Sequence, residues 1–128
     1  MLKDFDRWNE QKKRVDAQES GRLYRAREVW WCKLGINVGF EQDGTGVEHS
    51  RPVLVLKAFS AFVCLIVPLS TSTKKNRYYV SVGVIDGKEA RAIISQVRLV
   101  DTRRLENKIC VLDKKIFEAI KKAVKDLL

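Results

Sequence analysis

The spacing of apolar residues divides this chain into a helical beginning, a long run of strands and a helical end. From Lys3 to about Glu19, Phe5, Trp8 and Val15 recur near helical spacing among charges. That pattern predicts an amphipathic helix with a narrow stripe, ended by Ser20-Gly21. Three anchors are few for a core helix, so this one is expected on the outside of the fold or against a partner. Strand-length runs follow at Glu28–Leu34, Arg51–Phe59, Phe62–Leu69, Tyr78–Ile85 and Ala90–Val100. Trp30 and Trp31 fall on opposite faces of the first strand, one for the core and the other for an interface or a base-stacking surface, the interface being preferred. Short connections join these runs: Ser60-Ala61, the polar turn Ser70 to Arg77, and Asp86-Gly87-Lys88, a hairpin signal. Strand after strand with short links predicts a small antiparallel barrel. After Asp113, a suitable N-cap, Ile116, Phe117, Ile120, Val124, Leu127 and Leu128 form one apolar stripe, which predicts a C-terminal helix.

The segment Asn37 to Leu56 interrupts the pattern with polar chemistry. Gly39, Gly44 and Gly46 with Asp43 and Thr45 favour a loop. Pro52 then opens a β-branched run, a place where its missing N–H costs nothing. Arg51 stands at this junction beside a loop carrying Glu41, Gln42 and His49. Its guanidinium either meets an anion, whose oxygens match the fork of donors, or pairs with Glu41 or Glu48.

The chain has 128 residues and its composition suits one soluble domain: 45% apolar, 32% charged. The longest uncharged apolar run, Ala61 to Leu69, is too short to span a membrane. The N-terminus is charged from its third residue, unlike a secretory signal, so a cytoplasmic protein is expected. Cys32, Cys64 and Cys110 are widely separated in apolar surroundings and read as small hydrophobes; without close pairs, and with His49 the single histidine, no metal or other cofactor is expected. Formal net charge is +9. From Thr73 to the end there are 14 Lys and Arg against 7 Asp and Glu, whereas residues 29–72 balance at 3 against 3. A basic flank beside a neutral barrel points to a polyanion, either nucleic acid or an acidic protein.

Several motifs in one order carry a resemblance. EVWW at Glu28–Trp31, GFEQDG at Gly39–Gly44, SRPVLVL at Ser50–Leu56, VPLS at Val67–Ser70, SQVRLVD at Ser95–Asp101 and RL at Arg104-Leu105 are similar to the MazF/PemK toxins of bacterial toxin–antitoxin systems. The likeness runs from about Arg27 to about Ile109. It implies an SH3-like antiparallel β-barrel, which with the C-terminal helix occupies residues 27–128; the helix expected from apolar spacing is then an N-terminal extension, 1–26, to which the resemblance adds little. It implies a homodimer, an antitoxin partner with an acidic disordered tail, and cleavage of single-stranded RNA without a metal, by 2′-hydroxyl attack to a cyclic phosphate.

By the resemblance, Arg51 stabilises charge on the phosphorane, Ser70 holds a phosphate oxygen with Thr71 as its nearest substitute, and Glu41 is the proton acceptor. His49 has the better intrinsic pKa for that task but no support from the family. Gln42, His49, Thr71, Gln96 and Arg98 are expected along the RNA, with Lys74, Lys75 and Arg77 following its backbone. The PemK branch has an Arg and an Asp where this chain has Ile93 and Ser95, and a His where it has Phe40. Those departures keep a second reading open, a barrel of this fold that acts by binding, either as a gyrase-poisoning relative or as a toxin that has lost catalysis; a third is a basic SH3-like adaptor.

Overall fold

The computed structural model describes residues 23–34 and 50–128. The expected N-terminal helix, the glycine-rich loop, Glu41, Gln42 and His49 lie outside the described residues. Within those residues seven strands form a curled antiparallel sheet, a half-barrel, followed by one helix: β1 Glu28–Lys33, β2 Ser50–Ala58, β3 Val63–Ser70, β4 Tyr79–Ile85, β5 Lys88–Ile93, β6 Arg98–Asp101, β7 Leu105–Val111 and α1 Lys114–Asp126. Their order is β4-β5-β3-β2-β1-β7, with β6 also on β3. β2 and β3, the most apolar runs, are central, as strands covered on both faces must be.

Two differences from the sequence pattern have local causes. The run Ala90–Val100 is not one strand, because a 3-10 turn at Ile94–Gln96 separates β5 from β6. The chain also has a strand the pattern did not predict, β7, whose mixed sequence LENKICV includes only half-buried and exposed positions after Leu105. β7 lies on the sheet's edge, where one side of its backbone needs no cover. The 3-10 turn Thr102–Arg104 joins β6 to β7, so the chain passes from one end of the β6-β3-β2-β1-β7 path to the other.

Period two along the central strands supplies two cores. Val29, Leu54, Leu56, Val67 and Leu69 face one way, against the β4–β5 hairpin and against Phe117 and Ile120 of α1. Trp30, Cys32, Val53, Val55, Cys64 and Ile66 face the other, with Tyr24, Val100 and Leu105. Trp30 is therefore the core tryptophan and Trp31 is half-buried. Asp113 caps α1, its Oδ2 accepting from the N–H groups of Lys115 and Ile116. The stripe of α1 is shorter than its sequence suggests, since Leu127 and Leu128 are exposed. Asp86 and Gly87, with φ of 52° and 81°, make the predicted hairpin turn.

Arg27 ties the start of this fold to its end. Its φ of 77° is left-handed, a conformation that strains a non-glycine residue. Hydrogen bonds fix it there: its N–H donates to Val55 O at 2.9 Å, its carbonyl accepts from Leu112 N–H at 2.8 Å, and its Nε and Nη2 both donate to Leu112 O at 3.1 Å. Arg27→Ala loses the side-chain bonds and keeps the strain, whereas Arg27→Gly loses the bonds and relieves it. In denaturant unfolding the glycine variant is therefore expected to be the more stable of the two, by about 0.5–1 kcal/mol, reversing the usual order of alanine and glycine. An alanine variant as stable as the glycine one removes the strain argument.

Candidate active site

The two prolines of the chain shape the place where the sequence set its chemistry. The ladder between β2 and β3 runs through Val55–Ile66, Leu54–Val67 and Val53–Pro68 and ends there. Neither Pro52 nor Pro68 has an N–H to continue it. β3 then takes a new partner: Leu69 pairs with Ala92 and Ser70 with Arg91, both on β5. Carrying the β2–β3 register two residues past its end sets Arg51 opposite Ser70. On its other side Arg51 pairs with Cys32 of β1, and Cys32 pairs with Leu105 of β7.

One row of paired residues reads Leu105, Cys32, Arg51, and another reads Ser70, Arg91. Paired residues share a face and side chains alternate along a strand, so all five lie on the face that carries Trp30, Val53, Val55 and Ile66. Arg51 is half-buried at the rim of that core. Ser70 is 5% exposed, and its Oγ accepts from the N–H of Ser72 at 3.0 Å, which leaves the hydroxyl proton to be donated. Two rows along, Arg98 pairs with Ile66 on the same face and is half-buried.

Arg104 adds a further cation. It ends the same 3-10 turn that delivers Leu105 to the row, and its Nη1 donates to Lys33 O at 3.1 Å. Glu106 is the carboxylate nearby; its Oε1 accepts from Ser50 Oγ at 2.8 Å. The field of this group is registered by Cys32. Burial pushes its thiol up to about 12, against the downward pull of Arg104 and then Arg98, while Glu106 adds a smaller upward push. The thiol is buried and neutral, a packing group rather than a nucleophile. On β6, Asp101 is held under the usual carboxylate range by hydrogen bonds from Arg103.

The remaining expected residues divide by exposure. Gln96 is half-buried in the 3-10 turn before β6. Thr71, Lys74, Lys75 and Arg77 are exposed on the irregular segment after β3, and Arg77 lies 4.8 Å from the centre of the Tyr78 ring while donating to Tyr78 Oη. Sequence reasoning missed Arg91 and Arg104 as members of the site. Arg104 was legible only as half of an RL match. Arg91 stands two residues before Ile93 on the same strand face, so strand parity was the available signal. Among the described residues no group of His, Cys, Asp and Glu gathers to hold a metal ion, and no helix is long and apolar enough to cross a membrane.

Residues 25–128 match the model of a family described as PemK-like, MazF-like toxins of type II toxin–antitoxin systems. The chain belongs to that family. Solved structures agree on the fold. MazF from Deinococcus radiodurans superposes with a TM-score of 0.68 at 18% identity, over 83% of this chain and 96% of that one. An endoribonuclease in complex with its cognate antitoxin from Mycobacterial species gives 0.62 at 15% identity, over 81% and 93%. The Mycobacterium tuberculosis toxin MazF-mt6 gives 0.59 at 14%, over 78% and 94%. No curated protein sequence matches significantly. The family assignment makes this chain the toxin of a type II system, and the described fold is the expected mainly β one with its C-terminal helix.

The buried thiols yield a pH prediction. Cys32 and Cys64 are each raised by burial from 9.0 to about 12. A raised thiol pKa favours the folded state fully below the unfolded value and loses that contribution as pH climbs toward the folded one. Urea unfolding of the wild type is expected to weaken between pH 9 and 12 more steeply than that of a Cys32→Ala/Cys64→Ala variant. Equal slopes for the two proteins contradict the assignment of the thiols as neutral core groups.

Proposed function

We propose that this toxin is an endoribonuclease that cuts single-stranded RNA without a metal, using the substrate's 2′-hydroxyl as nucleophile. What supports the reading is that Arg51 and Ser70 each lie two residues beyond the last β2–β3 pair, Val53–Pro68, on strand positions of the same face, and that Arg104 and Arg98 act on the neighbouring Cys32. Phosphoryl transfer of this kind needs little from the protein beyond placement and charge. The 2′-oxygen attacks phosphorus, the P–O2′ bond forms as the P–O5′ bond breaks, and a cyclic phosphate and a 5′-hydroxyl result. The 2′-proton leaves to a base and the 5′-oxygen gains a proton.

Arg51 stays protonated at any relevant pH, so its part is to hold the charge that grows on the phosphorane oxygens. Ser70 donates its hydroxyl proton to one of those oxygens, and Thr71 is the neighbouring hydroxyl. Glu41, before His49, is the proposed base. Gln42, Gln96 and Arg98 line the strand, and Lys74, Lys75 and Arg77 meet its backbone. We further propose a homodimer in the cytoplasm, and an antitoxin whose acidic disordered tail competes with RNA for the same cations; the Mycobacterial and Deinococcus neighbours include toxins bound to antitoxins, which supports that partner. One observation favours a toxin that acts by binding alone: Ser70 is nearly enclosed and its Oγ is already engaged.

Cleavage of an unstructured RNA in EDTA decides between the two. Wild type is expected to cut, giving 2′,3′-cyclic phosphate ends, and to leave a 2′-deoxy substrate whole. Arg51→Ala should lose about 10²- to 10³-fold in rate, with Ser70→Ala retaining more. Equal rates for wild type and Arg51→Ala move the chemistry off this row, and a folded wild type that binds but never cuts establishes the binding reading.

A further inference from the structure

We propose that Arg91 is a positioning residue of the RNA site: it fixes the backbone of residues 72–74 so that Lys74 and Lys75 are preset to receive phosphates. The proposal rests on the endoribonuclease reading and assigns a role to a residue that reading does not use. Arg91 is the cross-strand neighbour of Ser70. Its Nη1 donates to Ser72 O at 2.6 Å and reaches Lys74 O at 3.4 Å. From the other side, Ser70 Oγ accepts from Ser72 N–H at 3.0 Å, and Ser72 Oγ accepts from Lys74 N–H at 3.2 Å. Ser72 is thus held at both its N–H and its carbonyl.

The segment needs such a clamp. Residues 71–76 belong to no strand or helix, and Lys74, Lys75 and Arg77 put three exposed cations within four positions. Their mutual repulsion and the freedom of an irregular backbone would scatter them. Ordering them before RNA arrives removes that cost from binding. An arginine suits the task because Nη1 carries two N–H groups, one for each carbonyl, in a fixed plane. Carbonyls, unlike a carboxylate, leave its charge unneutralised. Among the described residues Arg91 has no carboxylate partner, so the clamp adds to the positive field around Ser70 instead of cancelling it.

The test is a double-mutant cycle on the full chain, read as affinity for a 2′-O-methyl-substituted, uncleavable single-stranded oligonucleotide across a salt series. Lys74→Gln/Lys75→Gln should reduce the steepness of log K against log salt by about 0.7 for each phosphate that is no longer neutralised. Arg91→Ala alone should reproduce most of that reduction, and adding the two lysine changes to it should weaken binding by clearly less than they do in wild type. The expected coupling is more than about twofold. Arg91→Lys, which keeps the charge and N–H donors on a shorter-reaching, non-planar head, should recover part of the affinity. Full additivity of Arg91→Ala with the lysine changes overturns the proposal, whether or not Arg91→Ala lowers the melting temperature. So does an Arg91→Lys variant as weak as Arg91→Ala. A wild type that binds and cuts RNA in either of those cases leaves the endoribonuclease reading standing, whereas a folded wild type that binds no RNA at any salt removes both.

Discussion

The change of partner made by β3 at Pro68 organises the rest of this molecule. Up to that residue β3 is a central strand, hydrogen-bonded to β2 on one side and to β6 on the other. Past it the strand belongs with β5. A backbone N–H that a sheet would need is missing at Pro52 and again at Pro68, nearly opposite one another, so the continuation that leaves fewest groups unpaired is for the strands to separate. Separation at that point costs little ladder energy and leaves Arg51 and Ser70 beyond the last β2–β3 pair. The opposite face, carrying Leu54, Leu56, Val67 and Leu69, is closed by α1 and the β4–β5 hairpin. This end of the ladder is thus anchored to a packed core.

Concentrating arginines there has a cost, and the structure shows how it is offset. Arg104 and Arg91 rest on backbone carbonyls, at Lys33 and at Ser72 and Lys74. Glu106, held by Ser50, adds a negative charge that Cys32 registers more weakly than the arginines. Carboxylate partners neutralise their cations, as at Asp101 with Arg103 or Glu28 with Lys108. Carbonyl partners satisfy the donors without neutralising the charge. A cation resting on carbonyls can therefore hold the fold, as Arg27 does on Leu112 O, and keep the charge that attracts an anion.

Much of this was legible in the chain. Period two in PVLVL and the apolar run before VPLS gave the central strands, DG gave the hairpin, and Asp113 with the stripe behind it gave the helix. The order of short motifs gave the family. What escaped was whatever depends on partners distant in sequence. β7 has no alternation to announce it, because an edge strand needs apolar residues on little more than one side. The break between β5 and β6 follows from β3 taking two partners on one side in succession, a constraint written in Pro68 and not in residues 94–96. Arg91 and Arg104 looked like surface charges, since only the cross-strand register brings the first to Ser70 and only the turn at Thr102–Arg104 brings the second to β1. The polar loop and the N-terminal extension fall outside the described residues.

That register also gives the departures from the PemK pattern a physical setting. Ile93 is 1% exposed and pairs with Tyr79, so an arginine at that position here would bring a full charge into a dry place. Ser95 lies exposed in the 3-10 turn, where a carboxylate would face solvent. Arg91, two positions earlier on the same strand face, is half-buried and has two carbonyls within reach, so this sheet satisfies at position 91 a guanidinium that it would leave in dry surroundings at position 93.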